Sequence, residues 1–230
     1  MEITSTIAFL SLMLFCISTA GADTFGSGAN QFDIDFVTIG NPGNAADTTG
    51  DPNPAGSVAE TYRIGQFEIS EDMIDKANAE GSLGISQDSR GANKPATSIS
   101  WFEAAQFVNW LNLNSGSTEA YKFNGSTFEL WTPGDAGYDP NNLYRNSQAK
   151  YFLPSVDEWY KAAYYNPGTA SYGDYPTANG LVPTSVASGT AANTAVYGQS
   201  FATGPADITQ AGGLSPYGTM GQGGNAFEWE

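Results

Sequence analysis

The side chains best suited to hold a metal ion lie together in residues 221–230. Asn225 and Glu228 supply an amide and a carboxylate on a glycine-rich turn, which also exposes main-chain carbonyls. Because a hard cation such as calcium takes carboxylate, amide and main-chain oxygens together, this pattern indicates an oxygen-ligand cation site. The alternative is a purely structural turn, in which Asn225 takes a left-handed conformation while Phe227 and Trp229 pack.

The charge of the chain bears on its partners. Its formal net charge is -16, with only eight Lys and Arg residues, so binding to nucleic acid or to anionic lipid is not expected. No basic residue follows Lys161, which leaves Asp207 and Glu228 without a positive neighbour in the sequence. A bound cation would relieve this imbalance. Solvated surface carboxylates are the alternative.

Two features of the composition limit the catalytic chemistry. The chain has no His, which excludes Ser-His-Asp and Cys-His catalysis and all histidine metal sites. Its one Cys, Cys16, lies in the apolar run 7–17, close to the N-terminus. If that run is removed by processing, the mature chain carries no thiol.

Residues 1–22 are predicted to be a signal peptide, and residues 23–230 a single domain. Either Ser18 and Ala20 or Ala20 and Ala22 supply the small residues of a cleavage site, and the apolar run is too short for a membrane span. Glu2 stands where a positive charge is usual, so a short amphipathic or mis-started N-terminus is the alternative. The expected location is secreted, or periplasmic and cell envelope, with no membrane span after cleavage.

The elements that would position the turn begin with two predicted strands. Residues 23–40 alternate, with Phe32, Ile34 and Phe36 on one face, and residues 62–69 form the second strand. Ser70 then caps a helix. The polar residues 41–57 between the strands do not match a calcium loop, and they predict a solvated connection.

Two further helices have clear starting signals. Ser100 with Glu103, and Ser155 with Glu158, are capping boxes, so that Glu103 is assigned a structural role and is expected to stay ionised. Trp101, Ala104, Ala105, Val108 and Leu111 form the apolar stripe of the first of these helices. The second is predicted to end at 166–168, and residues 168–224 to form irregular loops held by aromatic residues.

Four segments together resemble the formylglycine-generating, sulfatase-modifying-factor family. They are RIGQFEIS at 63–70, PATSISWFEAA at 95–105, YFLPSVDEW at 151–159 and GGNAFEW at 223–229, in the family's order. The resemblance implies a variant C-type-lectin-like fold, α+β with little regular secondary structure. The family oxidises a cysteine of a sulfatase to formylglycine, with copper held by a pair of cysteines and two structural calcium ions.

The resemblance also implies which residues would bind calcium. The second calcium site falls on the Gly224 and Ala226 carbonyls and the Glu228 carboxylate, with Asn225 as a turn residue. The family usually has Asn or Asp three residues before Gly224, and Gly221 stands there, so one side-chain ligand is missing. The first site begins at Asn193 and the Thr194 carbonyl, and Asp207 is left open as its third ligand.

The catalytic residues of the family do not carry over. Its copper-binding cysteines follow the Gly-Asn-x-x-Glu-Trp turn, whereas this sequence stops at Glu230, so copper is not expected in this chain and a C-terminally incomplete fragment is expected. Two functions remain open. One is a calcium-stabilised binding or scaffold module for a protein, peptide or glycan, whose candidate contacts are the loop aromatics Trp131, Tyr138, Tyr164, Tyr165 and Tyr197. The other is a copper-dependent oxidase whose cysteines lie beyond residue 230.

Overall fold

The computed structural model describes residues 21–230, so the predicted signal peptide lies almost wholly outside the described residues. Strands β1 (Gly21–Phe25), β2 (Phe32–Ile39) and β3 (Tyr62–Gly65) form an antiparallel sheet in the order β1-β2-β3. The helices are α1 (Glu71–Gly81), α2 (Trp101–Asn114) and α3 (Val156–Tyr164). The remaining strands are short: β4 (Lys122–Asn124), β5 (Thr127–Glu129), β6 (Tyr165–Asn166), β7 (Ser171–Tyr172), β8 (Thr184–Ser185) and β9 (Thr194–Ala195). The predicted α+β class with little regular structure is confirmed.

Strand β2 shows the predicted alternation. Phe32 and Ile34 are buried, whereas Asp33 and Asp35 are exposed. The prediction of one continuous strand from residue 23 is wrong, because Gly26 has a φ of 73° and the chain reverses there between β1 and β2.

The main apolar core forms where α2 packs on this sheet. Both predicted capping boxes are present, and Ala105, Val108 and Leu111 are buried as the stripe predicted. The Phe32 and Trp110 rings stack with centroids 5.9 Å apart, which places β2 directly on the helix. Ser70 caps α1, with its hydroxyl accepting from the Met73 N–H, as predicted.

The connection at residues 41–57 is largely exposed, as the sequence predicted, but buried polar side chains hold it in place. Asn44 and Asp47 are buried, and Asp47 accepts hydrogen bonds from Thr49 and from the Tyr160 hydroxyl, the latter at 2.8 Å. The Asn44 amide donates to the Gly56 carbonyl at 2.7 Å. Short polar side chains bond well to nearby backbone groups, and here they hold the loop against the helix α3.

The part of the chain after α3 is irregular, as predicted. Helix α3 ends at Tyr164 rather than at 166–168, because Tyr165 is already extended and pairs with Tyr172. Aromatic contacts hold these loops: the Tyr165 ring lies 5.0 Å from Tyr172 and 6.3 Å from Tyr217. Within residues 21–230, no helix has the length and the apolar character needed to cross a membrane.

Candidate metal site and adjoining cleft

The turn at residues 221–228 depends on left-handed backbone conformations. Gly221 has a φ of 94° and Asn225 a φ of 66°. The Gly224 N–H donates to the Gly221 carbonyl at 2.9 Å, which closes the turn. A Cβ atom at position 224 would lie 2.1 Å from the Val196 carbonyl oxygen, so only glycine fits there.

Asn225 joins three segments of the chain. Its N–H donates to the Val196 carbonyl at 2.6 Å, and its Oδ1 accepts from the Ala206 N–H at 2.7 Å. Its Nδ2 donates to Glu68 Oε2 at 2.6 Å. Because the side chain is used in these bonds, Asn225 acts as a turn residue, and the first interpretation of it as a cation ligand is not supported.

Glu68 lies beside this turn and was not predicted from the sequence. It follows β3 in a segment that is held to the turn by a hydrogen bond from the Met220 N–H to the Gln66 carbonyl, at 2.8 Å. Burial raises the pKa of Glu68 to about 8; the nearby Glu228 charge adds to the rise, and the bond from Asn225 opposes it. The feature of the sequence that could have pointed to Glu68 is its position between two apolar residues, Phe67 and Ile69.

Glu228 is held by the start of helix α3. Its carboxylate accepts a hydrogen bond from Trp159 Nε1 at 2.5 Å. Glu228 is exposed as a residue, while the protein atoms around its carboxylate partly desolvate it and raise its pKa, and the Trp159 bond lowers it. Next along the chain, Trp229 Nε1 donates to the Ile99 carbonyl at 2.8 Å, so the turn is fixed at the start of α2 as well.

These contacts place two carboxylates, Glu68 and Glu228, beside the turn that carries the Gly224 and Ala226 carbonyls, and the Gly224 carbonyl already accepts a hydrogen bond from the Ala226 N–H at 2.9 Å. In the described part of the chain, no three His, Cys, Asp or Glu side chains lie close enough to hold a metal by themselves. A cation here would therefore need the main-chain oxygens as well. That mixture of oxygen donors suits calcium, and Glu68 Oε1 is buried without a hydrogen-bond partner among the described residues.

The first predicted site is centred on Asn193. Its φ is 60°, and its Oδ1 is likewise buried without a partner among residues 21–230. The Thr194 carbonyl accepts a hydrogen bond from the Gly213 N–H at 2.8 Å, which leaves it one further lone pair. Asp207 instead forms an ion pair with Lys94 at 2.9 Å. The inference that no basic residue neutralises Asp207 is therefore wrong, because a residue distant in sequence does so.

A cleft of about 900 Å³ adjoins the turn. Its walls come from β3, from residues 95–99 and 150–154, and from residues 226–229. Most of its side chains are apolar, among them Ile34, Phe36, Ile64, Phe67, Ile69, Ile99, Leu153 and Phe227. Glu68 and Glu228 also line it, so the candidate metal site forms part of the cleft wall.

The loop aromatics proposed as ligand contacts do not line this cleft. Tyr165 is buried in the aromatic stack, Trp131 Nε1 donates to the Ala120 carbonyl at 3.1 Å, and the Tyr197 hydroxyl donates to the Pro183 carbonyl at 3.0 Å. Tyr164 packs against Trp159. These side chains hold loops in place, and the sequence contained no local signal for the cleft because its walls come from distant segments.

The family model described as sulfatase-modifying factor enzyme 1-like domain matches residues 30–230. The chain belongs to this family. The match spans β2, the three helices and the turn at 221–228, and the short sheets and long loops fit the family's C-type-lectin-like fold. No curated protein and no solved structure matched the chain.

Proposed function

We propose that the protein is an exported, calcium-stabilised binding module of the sulfatase-modifying-factor family, and that its cleft holds an extended peptide with apolar side chains. The observation that carries this proposal is the position of β3. This strand lies at one end of the β1-β2-β3 sheet, and all four of its residues line the apolar cleft.

A strand at a sheet edge presents backbone N–H and C=O groups that can pair with an added strand. In such complexes the backbone bonds give affinity, and pockets for alternate side chains give selectivity. The cleft volume, about 900 Å³, lies at the upper end of the range for ligand sites, and its apolar walls suit peptide side chains better than sugar hydroxyls. These features favour a peptide over a glycan.

Calcium would be bound at Asn193 and Thr194, and at Gly224, Ala226 and Glu228. The buried, unpartnered Asn193 Oδ1 supports the first site, and the two carboxylates support the second. An exported protein meets calcium at concentrations that saturate sites with Kd values of about 10⁻⁴–10⁻³ M. Bound calcium would stabilise the loops that form the cleft wall.

The predicted signal peptide supports export. Gly21 and Ala22 pair with Phe36 and Asp35 at the start of β1. Cleavage after Ala20 would keep this pairing, whereas cleavage after Ala22 would remove it. We therefore expect a mature N-terminus at Gly21 rather than at Asp23, where the predicted boundary after residue 22 would put it, and mass spectrometry of the secreted protein would distinguish the two.

Catalysis is not part of the proposal, because residues 21–230 contain no cysteine and copper(I) selects thiolate ligands. Membership of the family favours one alternative, a copper-dependent oxidase that converts a sulfatase cysteine to formylglycine. Its cysteine pair would have to lie beyond residue 230. Reading the source DNA past this point distinguishes the two functions, since a downstream cysteine pair would support the oxidase.

The binding proposal is tested by panning a library of unstructured peptides on the mature protein with calcium, in parallel with a glycan array. Phe227 is fully exposed in the cleft wall, so Phe227→Ser should weaken peptide binding at least fivefold without loss of folding. Phe201→Ser is the matched control, because Phe201 is 84% exposed and lies outside the cleft. Binding of glycans alone, or equal peptide affinity in the two variants, would contradict the proposal.

A further inference from the structure

The position of Glu68 suggests more about the second calcium site. We propose that Glu68 is a side-chain ligand of the cation held by Gly224, Ala226 and Glu228, and that it supplies the carboxylate that position 221 lacks. This inference rests on the proposed calcium site and extends it to a residue that is distant from the turn in the sequence.

The space beside Gly221 is occupied by Glu68. A Cβ atom at this position would lie 3.0 Å from Glu68 Cδ and 3.2 Å from Glu68 Oε2. A side chain at 221 would therefore start where the Glu68 carboxyl group already lies. Glu68 thus occupies the space that is free because residue 221 has no side chain.

The hydrogen bonds of Glu68 leave one of its carboxylate oxygens without a partner in residues 21–230. Oε2 accepts from Asn225 Nδ2, but Oε1 is buried and has no partner among the described residues. An ionised oxygen in this position is costly without a partner. A protonated Oε1 would be a donor with no acceptor, so protonation does not remove the problem. A cation bound to Oε1 does.

Two carboxylates lie beside the turn. Glu68 and Glu228 face the same turn, and their charges are close enough to affect each other. Two carboxylates brought close together repel each other unless a positive charge lies between them. With the carbonyls of Gly224 and Ala226, they provide four oxygen ligands, and water would complete the six to eight that calcium takes.

The test is calcium titration by calorimetry on the mature protein, with Glu68→Gln as the main variant. Glutamine keeps the size of the side chain and an acceptor for Asn225, so the variant should fold. We expect calcium affinity at one site to fall at least tenfold. Glu60→Gln is the matched control, since Glu60 is an exposed carboxylate near the start of β3, and it should bind calcium as the wild type does.

Terbium luminescence identifies which site is affected. Terbium replaces calcium at oxygen sites and is excited by a nearby tryptophan, and Trp159 contacts the Glu228 carboxylate directly. Tryptophan-excited terbium emission should be strong in the wild type and in Glu60→Gln. It should be lost in Glu228→Gln and reduced at least tenfold in Glu68→Gln at the same terbium concentration.

The outcomes distinguish a failure of the calcium site from a failure of the role of Glu68. If the wild type binds neither calcium nor terbium, the calcium part of the proposed function fails and Glu68 has no cation to bind. If the wild type binds and Glu228→Gln removes the terbium signal, but Glu68→Gln binds as tightly as Glu60→Gln, the role of Glu68 is overturned while the site itself stands.

Discussion

Residues 21–164 and residues 165–230 reach a defined structure by different means. The main apolar cluster takes its buried members entirely from residues 25–151, where large side chains such as Phe32, Trp110 and Leu111 pack between the sheet and α2. The later part buries fewer large apolar side chains, and several of its buried residues are small, for example Ala195, Ala206 and Ala211. Its loops are fixed by the aromatic contacts around Tyr165 and by single polar side chains such as Asn225, which bonds to Glu68 and Ala206.

This difference determines what each part can do. A core of interlocking large side chains is rigid and holds β3 and the starts of the helices in place. Loops held by a few hydrogen bonds are stabilised strongly by a bound ion. The bonds from their oxygen atoms to the ion make up for the apolar packing that these loops lack. The candidate metal site lies in the second part and takes its extra carboxylate, Glu68, from the first.

The largest effect is expected from a cavity in the apolar core. Leu111→Ala should destabilise the protein by about 2–5 kcal/mol, because Leu111 is only 4% exposed and its removal leaves a void. Urea unfolding followed by circular dichroism measures this change. Leu113→Ala is the control on the same helix, since Leu113 is 57% exposed, and it should change stability by less than about 0.5 kcal/mol. Equal losses in the two variants would contradict the assignment of the core.

A smaller and more local effect is expected from Asn225→Ala. The change leaves the Ala206 N–H and the Glu68 carboxylate without their partner, at a cost of about 1–3 kcal/mol. Hydrogen exchange should become faster at the turn and near Ala206, and not in α2. Asn225→Gly is the comparison, because glycine adopts the φ of 66° without strain. The difference in stability between the two variants measures the cost of this backbone conformation for a residue with a Cβ atom. Faster exchange throughout α2 would show that the two parts are not separable.

Removal of calcium should act on the second part alone. If the free calcium concentration is about ten times the Kd, chelation with EGTA costs about 1.4 kcal/mol per site. The melting temperature should fall, and hydrogen exchange should rise in the segments around Asn193 and around 221–228. Glu228→Gln should show a reduced response to EGTA. An unchanged melting temperature in the wild type would mean that the sites do not bind calcium under these conditions.

The two parts also differ in how far the sequence predicted them. Capping boxes at Ser100 and Ser155 and the stripe through Leu111 are local patterns, and the structure confirms them because their physical causes lie within a few residues. The turn at 221–228 was predicted from its own glycines and carboxylate. Glu68 was missed because it lies in a different segment, and only the fold brings its carboxylate to Asn225.

The same limit explains the corrected predictions. Asp207 was assigned no basic partner because none lies near it in the sequence, whereas Lys94 reaches it across the fold. Residues 41–57 were assigned to solvent because they are polar, but the side chains of Asn44 and Asp47 bond to Gly56 and Tyr160. In both cases the sequence was described correctly, but it did not show which residues meet in the fold. Polar residues that find hydrogen-bond partners there can be buried.

The smallest effect tests whether polar contacts matter in the first part too. Asp23 on β1 accepts hydrogen bonds from Arg63 on β3 and from the Tyr151 hydroxyl, the latter at 2.7 Å. The Arg63 hydrogen bond, followed by the Tyr151 bond and the Arg63 and Lys150 charges, lowers the pKa of Asp23 from 3.8 to about 2 against the opposing effect of burial. Because the folded pKa is the lower one, the stabilisation is complete above pH 3.8 and is lost as the pH falls to about 2.

Since Arg63 is partly exposed, this stabilisation should be about 1 kcal/mol, well below the contribution of Leu111. Asp23→Asn should therefore cost about 1 kcal/mol at pH 6. Between pH 4 and pH 2 the variant should lose less stability than the wild type, by a similar amount. Urea unfolding at several pH values measures both, with Asp35→Asn as the control, an exposed carboxylate on β2. If the stability of Asp23→Asn depends on pH as that of the wild type does, the pKa of Asp23 does not change on folding. Apolar packing alone would then stabilise this part.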